Sequence, residues 1–198
     1  MKKNVEIAVY SFGGLVAIAG VYFLVKDMNK RLKAVKYAQT FLDEKEKSGN
    51  LGFQDPKFEA LMKNVGWQKG QAWCNYFTKV IWVNQFKKDK DLIAKLMNGS
   101  TQGTYKNFVN DTSGKFEVSK TAKPGDIVIW QKFVSGKASS FGHAGIVLKP
   151  GKDEFETIEG NTNKAGGREG DTVAKKTRKY NFNKTSGLRL KGFIHYKG

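Results

Sequence analysis

The sequence changes character near its middle, and this change limits the folds that it can adopt. Before about residue 110, apolar residues recur at spacings of three and four, which is typical of helices. After Pro124, short runs rich in β-branched and aromatic residues alternate with glycine-containing turns, which is typical of strands. Helices followed by a run of antiparallel strands predict an α+β fold, with N-terminal helices packed on one side of an antiparallel sheet.

The same patterns predict where the elements lie. Predicted helices cover residues 27–47, 58–65, 73–85 and 89–97, with a weaker candidate at 102–110. Predicted strands cover residues 127–130, 143–148, 154–159 and 188–196, and a polar loop is expected at 135–140. Residues 27–52 are expected to form an amphipathic stalk or the first helix, and residues 53–198 to form one globular domain.

An uncharged run of nineteen residues lies near the start of the chain, from Ile7 to Val25. With the two residues before it, the run is long enough to cross a bilayer, which predicts a transmembrane anchor at 1–26 that contacts lipid through residues 5–25. A cleaved signal peptide is the alternative. Its Ala-x-Ala match at 17–19 lies inside the apolar run, which favours an uncleaved anchor. Basic residues are denser after the run than before it, which favours a cytoplasmic C-terminal domain.

The composition limits the chemistry and the partners. A net charge of +17 predicts a polyanionic partner, which could be nucleic acid, anionic lipid or an anionic wall polymer. No nucleic-acid-binding motif or phosphate loop is present, so we expect no specific nucleic-acid recognition. One cysteine excludes an internal disulfide, and two histidines with no metal-ligand spacing predict neither a metal nor a cofactor.

The single cysteine, Cys74, falls in the first turn of a predicted helix. Unpaired backbone N–H groups and the positive end of the helix dipole lie at such a position. They favour loss of the thiol proton, and the thiolate is the reactive form of cysteine. The alternative is an inert buried cysteine that packs as a small apolar residue.

Nucleophilic catalysis by a thiol also needs an imidazole and a polar group that orients it. His143 falls at the start of one predicted strand, and Glu159 and Asn161 fall at the end of the next. If these strands pair as a hairpin, His143 and Glu159 lie side by side. The start of the predicted helix also makes the N–H of Cys74 available to bind an oxyanion. Each residue could instead have only a structural role. We expect such a role for His195, which lies between apolar residues of a strand.

Four segments in the same order resemble the successive motifs of CHAP-type domains, which belong with the NlpC-like, papain-like peptidoglycan hydrolases. The segments are residues 73–77, 123–128, 142–147 and 157–162. Residues 166–173, followed by Arg178, are also similar to phage-encoded members. The resemblance covers about residues 60–196 and implies a papain-like CHAP fold that cleaves an amide bond of peptidoglycan, as an amidase or an endopeptidase, without a cofactor.

The resemblance also implies roles for individual residues. Cys74 corresponds to the nucleophile, His143 to the general base, Glu159 to the residue that orients the imidazole, and Asn161 to an accessory polar residue. Trp73 stands where many CHAP domains carry a polar residue, so Gln71 is the expected substitute for the oxyanion side chain. We expect Trp73 and Gln71 to contact substrate.

These inferences predict a membrane-anchored, phage-encoded peptidoglycan hydrolase that acts in lysis or in virion entry. Its domain would face the cell wall from a virion membrane or the bacterial inner membrane, although the charge pattern around the apolar run predicts the opposite topology in a host membrane. Expected partners are peptidoglycan and membrane lipid, with an anionic wall polymer or other virion proteins as further candidates. The alternative is a non-catalytic structural protein of a membrane or virion that binds through its basic surface.

Overall fold

The helices come first in the chain and the strands follow. The computed structural model describes residues 28–163 and 170–198. The helices in these residues are α1 (28–39), α2 (Pro56–Asn64), α3 (Cys74–Gln85), a 3-10 turn (Lys87–Asp89), α4 (Lys90–Leu96) and α5 (Thr101–Val109). The strands are β1 (Phe116–Ser119), β2 (Ile127–Val134), β3 (Lys137–Lys149), β4 (Glu154–Thr162), β5 (Thr172–Lys179) and β6 (Gly187–Tyr196).

The six strands form one sheet with the order β1-β6-β2-β3-β4-β5, and all neighbouring strands are antiparallel. Helix α3 packs on β3 and β4, and α5 packs on β1, β2 and β3. Side chains alternate between the two faces of a strand, so Ile127 and Ile129 join the helical core while Val128 and Trp130 face the other way. The predicted α+β class, with helices on an antiparallel sheet, is confirmed.

The second face of the sheet is covered by the connection between β5 and β6. Tyr180 and Phe182 in this connection pack on a cluster that includes Trp130, Phe155 and Phe193. The sheet is therefore buried on both sides around the middle of β2 and β4, and polar groups on this second face are removed from water.

The predicted helix at 27–47 is wrong beyond residue 39. The chain then turns, with Thr40 N–H donating to Tyr37 O, and Asp43 adopts a φ of 67°. Asp43 N–H donates to Val173 O, and Lys45 pairs with Thr172. The free edge of β5 offers backbone hydrogen bonds here, which a continued helix would leave unmade.

The predicted polar loop at 135–140 is also wrong, because β3 begins at Lys137. Val134 pairs with Lys137 across a two-residue turn, in which Ser135 and Gly136 have φ values of 48° and 78°. Positive φ at both positions is the geometry of a tight hairpin turn. This turn lets the β2–β3 pairing continue through residues that are mostly polar. The four-residue strand β1 was not predicted at all. The helices at 58–65, 73–85 and 89–97 are confirmed within one or two residues.

No helix within residues 28–163 and 170–198 is both long enough and apolar enough to cross a bilayer. The anchor predicted at residues 1–26 lies outside the described residues.

A buried ionic cluster joins α1 to the sheet. Arg31 donates to Asp126 Oδ1 at 2.7 Å and to Tyr196 O at 2.8 Å. His195 Nδ1 lies 2.6 Å from Asp126 Oδ2, which also accepts a hydrogen bond from Lys123 N–H at 2.6 Å. Burial raises the pKa of Asp126, while His195 and Arg31 act to lower it. His195 therefore has the structural environment expected for it.

Replacing the central carboxylate should destabilise the fold strongly. Asp126→Asn leaves the buried Arg31 without its counter-ion, and loss of one partner of a buried ion pair costs about 3–5 kcal/mol. Urea denaturation should show this decrease in the free energy of unfolding. The matched change Asp153→Asn, in an exposed turn, should be nearly neutral. A stable Asp126→Asn protein would show that the cluster contributes little to folding.

Candidate active site

Cys74 is the first residue of α3, and this helix start has no side-chain cap. Trp73 occupies the N-cap position without a capping hydrogen bond, so the first-turn N–H groups are not used by a side chain at that position. The backbone amides of Asn75 and Ala144 act to lower the pKa of the Cys74 thiol. The thiol thus lies at the positive end of a helix, near backbone donors from two different elements.

Two contacts fix α3 against the rest of the domain. Asn75 Nδ2 donates to Asn98 O at 2.6 Å and to Thr104 Oγ1 at 2.8 Å, which ties the first turn of α3 to the segment around α5. Nearer its other end, Trp82 Nε1 donates to Gly125 O at 3.0 Å. The position of the sulfur therefore depends on a helix held at both ends, and not on a loop.

The imidazole and the carboxylate meet across neighbouring strands. His143 Nε2 lies 2.9 Å from Glu159 Oε2, and both side chains are fully buried. The β3–β4 pairing of Ile146 with Ile158 places Gly145 opposite Glu159. A Cβ at Gly145 would lie 2.7 Å from Glu159 Cγ, so a glycine here leaves the space through which the carboxylate reaches His143.

The imidazole of His143 also lies near the thiol. Cys74 and His143 interact directly, and this interaction acts on the pKa of both groups. His143 Nδ1 is buried and makes no hydrogen bond of ordinary geometry. The contact between thiol and imidazole is thus looser than a formed hydrogen bond, as is common for catalytic pairs without bound substrate.

Sequence reasoning gave no role to the groups that hold Glu159. Arg178 Nε donates to Glu159 Oε1 at 2.8 Å, and Arg178 Nη2 donates to Glu159 Oε2. Thr157 Oγ1 donates to Glu159 Oε1 at 2.6 Å. The guanidinium also lies 5.4 Å from the ring centroid of Trp130. No sequence signal pointed to this role of Arg178, because the register that places it opposite Phe155 on one sheet face comes from the pairing of β4 with β5.

These contacts shift the pKa values of the three groups together. Burial raises the pKa of Glu159, but hydrogen bonds from Arg178 and His143 outweigh it and lower the value to about 2. Burial lowers the pKa of His143, but the charges of Cys74 and Glu159 raise it to about 9. Burial raises the pKa of Cys74, and the charge of His143 reverses this effect and lowers it overall. The two shifts act together in favour of a thiolate beside an imidazolium.

A cleft of about 410 Å³ opens beside the thiol. Its lining contains no carboxylate and no basic side chain, and its ionisable groups are the thiol of Cys74 and the phenol of Tyr76. The lining residues are Gln71, Ala72, Cys74, Tyr76, Gly99, Ser100, Thr101, Ser140, Phe141 and Gly142. The Phe141 residue is 57 % exposed at the rim. The cleft therefore offers an uncharged surface to a ligand, although the protein as a whole is strongly basic.

The two residues expected to contact substrate are placed differently. Gln71 lines the cleft, and its Oε1 accepts a hydrogen bond from Gln68 N–H at 3.1 Å. Trp73 is fully buried, packs on Phe53 and donates its indole N–H to Glu46. The large apolar ring stabilises the core below the helix start, which corrects the expectation that Trp73 contacts substrate.

Asn161 lies two residues beyond Glu159 on β4. It is buried and has a φ of 55°, a left-handed conformation that asparagine tolerates better than most residues. It lines a second cavity of about 540 Å³ with Glu46, Asn50 and Asp171, separate from the cleft beside the thiol. The accessory role of Asn161 stays a prediction.

Comparison with protein-family models matches residues 66–161 to the CHAP domain. The matched residues run from before α3 to the end region of β4 and include Cys74, His143, Glu159 and Asn161. CHAP domains are generally hydrolases that act on peptidoglycan, so the match supports a CHAP-type hydrolase. Comparisons with curated proteins and with solved structures gave no match.

The pH dependence of alkylation should report the electrostatics of the thiol. The rate of Cys74 alkylation by iodoacetamide should rise through a pKa below the ordinary value of about 8.5 for a free cysteine. His143→Gln removes the imidazolium and leaves burial dominant, so the midpoint should move above that value. Mass spectrometry of the modified peptide measures the rate. The same midpoint in both proteins would contradict the coupling of the two groups.

Arg178 should hold the pKa of Glu159 low. Arg178→Gln removes the cation whose hydrogen bonds favour the ionised carboxylate, so the pKa of Glu159 should rise from about 2 by at least about one unit, measured by NMR titration of the side-chain carboxyl. Arg178→Lys keeps the charge and should restore part of the shift. Arg189→Gln is the matched control, because Arg189 lies over Phe133 instead. An unshifted titration in Arg178→Gln would exclude this role.

Proposed function

We propose that the chain is a membrane-anchored peptidoglycan hydrolase that cleaves an amide bond with the thiol of Cys74. The observation that carries the proposal is the buried line of thiol, imidazole and carboxylate within a CHAP-matched segment. The shifts act in the direction that the chemistry needs, since the pKa of Cys74 is lowered and the pKa of His143 is raised to about 9.

The first half of the reaction forms a thioester. The Cys74 thiolate attacks the carbonyl carbon of the amide, and the carbonyl electron pair moves to oxygen. Backbone N–H groups at the start of α3, that of Cys74 among them, bind this oxyanion in the proposed mechanism. The His143 imidazolium then gives its Nδ1 proton to the amide nitrogen, the C–N bond breaks and the amine leaves. Glu159 holds the ring through Nε2 both before and after this proton transfer.

The second half releases the acyl group. His143, now neutral, takes a proton from water, and the hydroxyl oxygen attacks the thioester carbonyl. The tetrahedral intermediate collapses with cleavage of the C–S bond, which gives a carboxylic acid and regenerates the thiolate–imidazolium pair. The sequence of steps is the same for an amidase and for an endopeptidase, which differ only in the amide that enters the cleft.

The setting of the enzyme forms a further part of the proposal. Residues 5–25 anchor it in a membrane, and the resemblance of residues 166–173 and Arg178 to phage-encoded members supports a phage origin. A lysis enzyme at the inner membrane and a virion component that opens the wall during entry both fit. Entry avoids the conflict with the charge pattern, because orientation in a virion need not follow the host rule. Finding the protein in purified particles would support entry, and finding it only in infected-cell membranes would reject it.

The non-catalytic alternative is tested by Cys74→Ala. This change should abolish wall clearing in a zymogram and lower the rate of wall solubilisation by at least about 10³-fold, because no other thiol is present. Thermal unfolding should be nearly unchanged. Ser186→Ala, which also removes one heavy atom but in an exposed loop, is the matched control and should clear normally. Equal clearing by wild type and Cys74→Ala would leave only a binding role.

The scissile bond follows from the wall fragments. Mass spectrometry of the digest identifies the new amino terminus or the freed glycan lactyl group. Glycan chains free of peptide would define an amidase, and shortened or uncrosslinked peptide stems would define an endopeptidase. Intact wall after incubation with the folded protein would contradict both activities.

A further inference from the structure

Thr101 is a polar residue in the wall of the cleft beside the thiol, and the proposed reaction does not use it. It is the first residue of α5 and is only 5 % exposed. The preceding residue, Ser100, caps the helix, because Ser100 Oγ accepts a hydrogen bond from Gly103 N–H at 3.1 Å. The capping function therefore belongs to Ser100, and the buried hydroxyl of Thr101 needs another explanation.

The side chain of Gln102 sets the direction of this hydroxyl. Gln102 Nε2 donates to Thr101 Oγ1 at 3.2 Å and to Trp130 O at 2.9 Å. Gln102 Oε1 accepts a hydrogen bond from Lys191 Nζ at 2.8 Å. These contacts fix the amide with its N–H side towards Thr101. The hydroxyl oxygen accepts at that contact, so its own proton has to point to a different acceptor.

No residue within 28–163 and 170–198 accepts the hydroxyl proton of Thr101. A threonine inside a helix can donate to a carbonyl of the preceding turn, as Thr78 does to Asn75 O at 2.9 Å in α3. Thr101 begins its helix and has no preceding helical turn. A buried donor without an acceptor is unfavourable. A molecule that enters the cleft can supply the missing acceptor.

The hydroxyl lies beside the strand that carries the imidazole. A Cβ at Gly142 would lie 2.5 Å from Thr101 Oγ1. A single carbon–carbon bond is about 1.5 Å long, so Thr101 Oγ1 lies at most about 4 Å from the Cα of Gly142. Gly142 directly precedes His143 and lines the same cleft as Cys74. A substrate held at the thiol therefore passes close to the hydroxyl.

The lining of the cleft favours a neutral acceptor. It contains no basic side chain that could balance a carboxylate of the ligand. A carboxylate that left water here would lose its hydration without gaining a counter-ion, which costs much more than burying a carbonyl group. Carbonyl oxygens also occur at every amide of a peptide stem. A neutral amide carbonyl is therefore the acceptor that fits this hydroxyl.

We propose that Thr101 binds the substrate by donating its hydroxyl proton to a neutral carbonyl oxygen other than that of the scissile amide. In the proposed mechanism the scissile oxygen is bound by N–H groups at the start of α3, so a second carbonyl contacts Thr101. Two contacts on one peptide fix its position along the cleft relative to Cys74. This inference rests on the proposed function, because it takes the ligand of the cleft to be an amide substrate.

Steady-state kinetics of the full chain on a soluble crosslinked muropeptide test the contact. Thr101→Val keeps the side-chain shape and removes the hydroxyl, so KM should rise about threefold to tenfold with kcat unchanged. Thr101→Ser keeps the hydroxyl and should restore most of the affinity. Thr112→Val, at an exposed position, is the matched control and should not change KM. An unchanged KM in Thr101→Val would overturn the proposal, and so would a loss confined to kcat.

Binding in the Cys74→Ala background gives a readout without turnover. Calorimetry with the same muropeptide should show weaker binding, again by about threefold to tenfold, when Thr101→Val is added. Thr101→Ala removes the hydroxyl without adding a methyl group beside Gln102, and it should give a similar loss if Thr101→Val does not fold. Equal binding with and without the hydroxyl would overturn the contact.

The charge of the acceptor is tested by changing the ligand. Converting the carboxylates of the muropeptide to methylamides should leave the affinity ratio between the Thr101→Val protein and its parent unchanged, because the carbonyl acceptor is still present. A ratio that falls to about one would assign the hydroxyl to a carboxylate and overturn the neutral acceptor.

These outcomes separate the inference from the proposed function. Equal wall clearing by wild type and Cys74→Ala would overturn the hydrolase, while weaker muropeptide binding on loss of the hydroxyl would still support the contact. Normal clearing that depends on Cys74, with the same KM and binding in Thr101→Val, would overturn the contact alone. A folded Cys74→Ala protein that does not bind the muropeptide at all would also overturn the contact.

Discussion

The site depends on a row of four ionisable side chains whose charged forms alternate in sign, Cys74, His143, Glu159 and Arg178. Three of these side chains are buried and the fourth is only 17 % exposed. Removing an ion from water costs several kcal/mol, so none of the first three would be stable as an isolated charge. The charged form of each is stabilised by its neighbours, which lower the pKa of Glu159 to about 2 and raise the pKa of His143 to about 9.

This row is held by regular elements and not by loops. The last three members lie on β3, β4 and β5, so the sheet register sets their distances. The thiol comes from α3, which is fixed through Asn75 and Trp82. Sites built on helices and strands keep a narrow geometry, because their backbone positions are defined by many hydrogen bonds and by core packing. The fold thus positions an arrangement that sequence distance alone would not suggest.

Much of this arrangement could be predicted from sequence because its signals are local. Asp55 and Pro56 mark the start of α2, and alternation along two neighbouring strands predicted that His143 and Glu159 lie side by side. The prediction that these residues meet Cys74 needed more than local signals. It came from the order of four segments and their resemblance to a family, and the direct interaction of Cys74 with His143 agrees with it.

The parts that could not be predicted depend on distant partners. Helix α1 ends early because the edge of β5, about 130 residues later, offers hydrogen bonds to Asp43 and its neighbours. The residues around the hairpin turn at Ser135 do not alternate between apolar and polar. The start of β3 is a strand because it pairs with β2. Arg178 looks like one more member of a basic segment until β5 is known to lie beside β4. Trp73, adjacent to the thiol in sequence, belongs instead to the core.

The two glycines of the Gly-His-Ala-Gly sequence around His143 stand at positions where no side chain fits. A methyl group at residue 142 would collide with Trp130 O and with the Thr101 and Gln102 side chains, and one at residue 145 would displace Glu159. Alanine, the smallest possible replacement, is already too large at both places. The glycines near this histidine are therefore required because no side chain fits at their positions. A search for similar sites in other chains should give the two glycine positions as much weight as the histidine itself.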